Sequence, residues 1–205
     1  MASVSSLNGF RPVKMVTGAP YNGQAGIYFV PSSNSDVIMV GDVVKLAGDG
    51  RSPTGVPTVA RHAGGATEAA VGVVVGILFS GVGDVQNVPP VTDLNTPVYR
   101  RASTDRYLLV ADDPNLIFEA QTSGATFATA DIGANCQVAA TAGNTSSGSS
   151  GMSIDLGNKG TTATLPLKIV GFPYRPDNNI GDTYTRAYVR INNHQYSGGT
   201  GTSGV

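Results

Sequence analysis

Tryptophan is absent from this chain of 205 residues, cysteine occurs once, histidine twice, and only 13% of residues are charged. Each scarcity closes a class of chemistry. Cys136 alone has no internal disulfide partner, and without a charged activating neighbour in sequence it reads as a small buried hydrophobe, not a nucleophile. His62 and His194 stand far apart with no cysteine or carboxylate at ligand spacing, so neither a metal nor any other cofactor is expected. No lysine followed by serine or threonine closes Gly72-Val73-Val74-Val75-Gly76 into a phosphate loop, and no Gly-x-Ser-x-Gly elbow occurs. Asp112 and Asp113 lack the rest of an oxygen-rich calcium loop. A net charge of −1 gives no broad basic field for nucleic acid, and so sparse a charge favours association with other proteins. The longest uncharged run, 69–83, is shorter than the roughly 20 residues of a spanning helix, and residues 1–6 have neither the basic start nor the apolar core of an export signal. The expectation is a non-enzymatic protein of a reducing cytoplasm with no membrane contact.

What the chain does have is turn chemistry: 27 glycines and 12 prolines between short alternating runs. That pattern predicts an all-β fold, an antiparallel β-barrel or sandwich of jelly-roll-like kind with an extended N-terminal arm and long loops. Residues 107–121 organise the reading. Two strands, 107–110 and 116–120, flank Asp112-Asp113-Pro114-Asn115, where aspartate and proline both favour a turn. In the second strand Leu116, Phe118 and Ala120 share a dry face, while Ile117, Glu119 and Gln121 lie on one that becomes wet.

Elsewhere the same period of two recurs. Strands are expected at 11–16 with Pro12 on an edge, at 27–30, 152–156 and 165–170, and at 186–191 with Ala187, Val189 and Ile191 inward. Residues 37–40 and 43–46 about Gly41-Asp42 read as a hairpin. The run 70–79 reads as a central strand whose Gly72 and Gly76 permit close backbone approach. A turn at Pro89-Pro90, a strand at 96–101 and a short strand at 137–139 complete the set. The Gly/Ser-rich loop 141–151 is expected to be mobile. Three parts result: an arm with the first strand over 1–16, a β body over 17–192, and a flexible tail over 193–205.

Several segments together, 8–14, 41–45, 57–61, 71–76, 107–121 and 131–135, resemble the capsid decoration or cement proteins of tailed bacteriophages. The resemblance covers most of the chain and rests on scaffold motifs. It implies a virion protein on the outer surface of the icosahedral head, made in the bacterial host cytoplasm, that bridges major capsid protein subunits and works as a homo-oligomer, a trimer or a dimer. The residues themselves nominate an interface. Leu7 and Phe10 on the polar arm either anchor in a partner or cap this chain's own barrel. Arg11 follows them. Arg100, Arg101 and Arg106 form a small basic cluster that either meets an acidic surface or is a solvated strand end. Two other readings compete: a virion surface module, such as a head fibre base or host-glycan binder working through loops like 141–151, and a hydrolase whose carboxylates assemble in space.

Overall fold

A computed structural model describes residues 3–78, 97–197 and 201–204. The strands are β1 (Arg11–Met15), β2 (Gly26–Val30), β3 (Val43–Arg51), β4 (Val56–Arg61), β5 (Gly72–Leu78), β6 (Arg106–Ala111), β7 (Leu116–Ser123), β8 (Asn135–Ala139), β9 (Ser153–Gly160), β10 (Leu167–Gly171) and β11 (Arg186–Ile191). Among the described residues the only helical element named is a short 3-10 turn, Thr129–Asp131. The chain is therefore all-β, and of the two forms expected it takes the barrel. β2, β4, β3, β5 and β6 close into one ring. The second sheet runs β1-β7-β11-β10-β8-β9, and a β7–β9 pairing joins its far strand back to β7. Most neighbours are antiparallel, but the closures β2–β4 and β7–β9 are parallel.

The Asp112–Asn115 turn carries the chain from one ring to the other, since β6 ends the first and β7 lies in the second. Asp113 holds it by accepting from the Asn115 amide at 2.7 Å, the local bond that aspartate offers in a turn. Two apolar cores follow. One fills the first ring with Val30, Ile38, Val44, Val59, Val74 and Leu108. The other fills the second with Phe118, Ile154, Leu167, Ile169 and Val189, and also takes in Val43, Val73 and Ala111 from the first. That shared boundary joins the two sheets through continuous apolar packing.

Where sequence and structure part, local geometry explains it. The 37–46 hairpin does not form. Asp42 N–H donates to Met39 carbonyl at 3.1 Å and Gly41 has φ of 95°, a turn of the kind that splays its flanking strands. β3 pairs instead with β4 and β5. The segment near Arg100 makes a single bridge to Ile38 in place of a strand. β5 is central as expected, between β3 and β6, but a register shift between Val74 and Gly76 breaks its alternation. Val74 and Ile77 consequently enter the first core while Val73 enters the second. The loop 141–151 is tied down: Asn144 and Ser149 pair, Val40 bridges Ser149, and Ser150 is 1% exposed. In the tail, Thr202 N–H donates to Asn192 and Asn135 donates to Thr202 carbonyl, so 201–204 lies on the body. The Pro89-Pro90 turn, Phe79, Thr96 and tail residues 198–200 and 205 lie outside the described residues.

The glycine at the strand crossing can be tested. A Cβ on Gly72 would meet the Ala111 carbonyl oxygen and come within 2.7 Å of Val110 Cγ1. Gly72→Ala should lower unfolding free energy by about 1–3 kcal/mol, the usual cost of overpacking, read as an earlier urea midpoint; an unchanged midpoint would show that the crossing has room.

Candidate interaction surface

The arm lies along the molecule's own second sheet. Gln121, 6% exposed, receives it with a side-chain amide that behaves as a strand edge would: Ser6 N–H donates to Oε1 at 2.8 Å and Nε2 donates to Val4 carbonyl at 2.8 Å. The same Nε2 donates to Tyr184 carbonyl at 2.7 Å, and Ser3 N–H donates to Asp182 at 2.7 Å. The face of β7 expected to be wet is thus covered by the arm at its far end. Phe10 is 1% exposed and belongs to the second core, so of its two possible roles it takes the intramolecular one. Gly9 allows this entry, because at φ of 70° its missing Cβ would sit 2.5 Å from the Gly41 carbonyl oxygen. Leu7 is half-buried and Arg11 exposed.

The basic cluster of Arg100, Arg101 and Arg106 does not assemble as a surface. Arg100 is fully buried and staples two loops, its guanidinium donating to Pro31 and Asn34 carbonyls at 2.8 Å each, to Thr104 carbonyl at 3.0 Å and to Asp36 carbonyl. Burial pulls its pKa down, against the pull of Asp36 and Asp105. Carbonyl-rich turns are what a buried guanidinium needs, and their convergence is invisible in the sequence. Arg101 is exposed, and Arg106 is half-buried, donating to Asp105 carbonyl.

A different basic surface emerges on the outer face of β1, β7, β11 and β10. Strand register places Lys14 opposite Ile117, Ile117 opposite Arg190, and Arg190 opposite Lys168. In the next row Arg11 stands opposite Glu119, and Glu119 opposite Tyr188. Arg175 and Arg186 both pair with Glu119, Arg186 at 3.6 Å, and the bond to Glu119 raises the Arg175 pKa. Lys14 lies over the Tyr188 ring at 5.3 Å. Beside this face the arm and the 172–185 loop enclose an open hollow of about 260 Å³ lined by Val4, Tyr184, Asp177 and Arg186. Val4 is 78% exposed, and the loop adds Tyr174 at 94%.

Two polar clusters elsewhere are structural. Tyr28 donates to Asp112 at 2.7 Å and meets Tyr196 at 3.1 Å, tying the inter-ring turn to the segment after β11, and burial raises its pKa. His62 is buried, its Nε2 3.0 Å from Glu68 carbonyl while Nδ1 accepts from Gly64 N–H at 3.0 Å, the pattern of a neutral ring. The Glu68 carboxylate, brought back by the 63–68 turn, stands 3.2 Å from Nδ1. Cys136 is buried, and desolvation, then Asp155 and Asp131, push its thiol pKa up. Among the described residues no group of three or more histidine, cysteine, aspartate or glutamate side chains converges as for a metal ion.

Burial holds both His62 and His194 below the usual imidazole range. The unfolded chain takes up their protons near pH ~6.5 while the folded one resists. Stability is therefore fully present above that pH and is lost as pH falls through it. Urea midpoints should drop between about pH 7.5 and about pH 5.5, and His62→Gln should flatten that slope; an equal slope would exclude His62 as a source. Gln121→Ala should free the arm: amides of residues 3–8 should exchange faster, at a cost of about 2 kcal/mol for the three lost bonds. Unchanged exchange there would place the hold on the arm elsewhere.

No protein-family model, no curated protein and no solved structure matches this chain.

Proposed function

We propose that this chain is a structural adhesion protein of a viral shell, a capsid decoration or cement protein that binds the outer surface of a bacteriophage head and bridges major capsid protein subunits. The observation that carries the reading is the end of the molecule where arm and 172–185 loop meet. Val4, Tyr174, Ile180 and Tyr184 are all exposed there, on a chain with few charges. Exposed apolar side chains on the arm and on the loop beside an open hollow are the mark of a protein contact, and the resemblance of the scaffold segments to cement proteins supports a capsid partner. A rigid β body with many modest contacts suits such work, because symmetry multiplies each contact over the shell. The loop 141–151 is anchored by internal bonds through Ser150 and Asn144, while Thr145, Ser146 and Ser147 stay exposed at its tip.

An electron-microscopy reconstruction of particles carrying the chain tests this directly. Density at regular positions outside the head is expected; placement in the tail, or absence from the particle, would overturn the proposal. Val4→Asp should weaken binding to isolated heads by about tenfold, the scale of one interface anchor, with thermal melting unchanged. Wild-type binding by that variant would remove the arm tip from the contact.

A further inference from the structure

The outer face of the second sheet breaks a local rule of sheet construction. Arg190 and Lys168 stand directly opposite each other on β11 and β10, and like charges in that relation destabilise a sheet. Neither makes an ion pair among the described residues, nor does Lys14 two strands away in the same row. With strands roughly 5 Å apart, three cations lie in a line across four strands on a chain whose net charge is −1. Composition does not force this concentration. Lys168 reaches the Ser203 carbonyl at 2.7 Å and Lys14 lies over the Tyr188 ring, but no carboxylate pairs with the row among the described residues, and such departures from local consistency are expected where a surface serves a partner.

One detail sharpens the point. Ile117 sits in the middle of the row and is only 8% exposed, with Lys14 and Arg190 as its cross-strand neighbours, and the stems of such side chains can cover apolar surface. An apolar centre with charge around it is the anatomy of a protein interface.

From this we infer that the face of β1, β7, β11 and β10 docks an acidic protein surface. The inference deepens the adhesion reading, on which it rests for the nature of the partner as a protein shell. Carboxylates on the partner would answer Lys14, Arg190 and the free edge of Arg11, and Ile117 would lie under the contact. A nucleic acid suits the face less well. Glu119 stands within it, and the Tyr188 ring is already covered by Lys14, which removes the platform that bases would stack on.

The test uses the full chain and immobilised poly-L-glutamate, with single-stranded oligothymidylate as competitor. Wild type should be retained at low salt and released as salt rises, as screened surface charge requires. K14E/R190E should bind about tenfold more weakly, and R101E/R106E, which lies off this face, should bind like wild type. K14Q/R190Q gives the same reading without charge reversal and, by relieving the like-charge pair, should melt no lower than wild type. No retention of wild type, equal retention of the Lys14/Arg190 variants, or tighter binding to oligothymidylate would overturn the inference. Heads separate it from the broader reading. If wild type and K14E/R190E bind heads equally, adhesion stands and this face is wrong; if heads bind neither while poly-L-glutamate is held through the face, adhesion fails and the acidic docking face survives.

Discussion

A single buried carboxylate holds the two rings in register. Asp42 is 1% exposed at the start of β3 and accepts from Met39 N–H at 2.9 Å, Ser150 hydroxyl at 2.5 Å and Arg61 Nε at 3.3 Å. Arg61 continues from the end of β4 to the carbonyls of Ala140 at 3.3 Å and Thr141 at 2.6 Å, beyond the end of β8. On its own backbone Asp42 accepts Val74 N–H at 2.9 Å from β5. Burial raises the Asp42 pKa, and the bonds to Ser150, Met39 and Arg61 oppose that rise. A charge placed so deep survives only because three donors, one of them a guanidinium, meet it. The arrangement explains why the Gly/Ser-rich loop is ordered, why Gly41 must turn the chain, and why Phe10 can enter beside it, its N–H donating to Gly41 carbonyl at 2.9 Å.

From that junction outward the second sheet has one filled and one open side. The inner side of the second sheet is filled by Phe118, Val189, Ile169 and Leu167. Its outer side is framed by the arm on Gln121 and by the 201–204 segment, where Lys168 donates to Ser203 carbonyl at 2.7 Å. Between these frames lie the cations and the ring of Tyr188. A chain built this way has its internal bonds spent on fixing a shape, and it offers a patterned surface of the kind the proposed adhesion to a shell would use.

Much of the fold was legible because alternation reports which face of a strand is dry. Ala187, Val189 and Ile191 are buried as their spacing indicated, as are Leu116, Phe118 and Ala120. The turn at 112–115 was legible from Asp113 and Pro114, though its role as the passage between rings was not. Period-two reasoning also placed Arg186, Tyr188 and Arg190 outward. What it lacked was adjacency: Lys14, Lys168 and Arg190 are far apart in sequence and meet only through register across β7 and β11. Arg100 misled for the opposite reason, since its acceptors are carbonyls, which every residue has and none advertises. The Gly/Ser loop misled because composition sees the small polar residues and not the buried Asp42 that one of them serves.

Hydrogen exchange measured strand by strand tests the central claim that Asp42 makes the two rings one cooperative body. In wild type the slowest amides of β3 and β5 should open with the same free energy as those of β7 and β11. Asp42→Ala should lower both sets together, by about 3 kcal/mol for a buried charge network broken on one side. A variant in which β3 and β5 loosen while β7 and β11 keep their protection would contradict the account, and the rings would then be two bodies that merely touch.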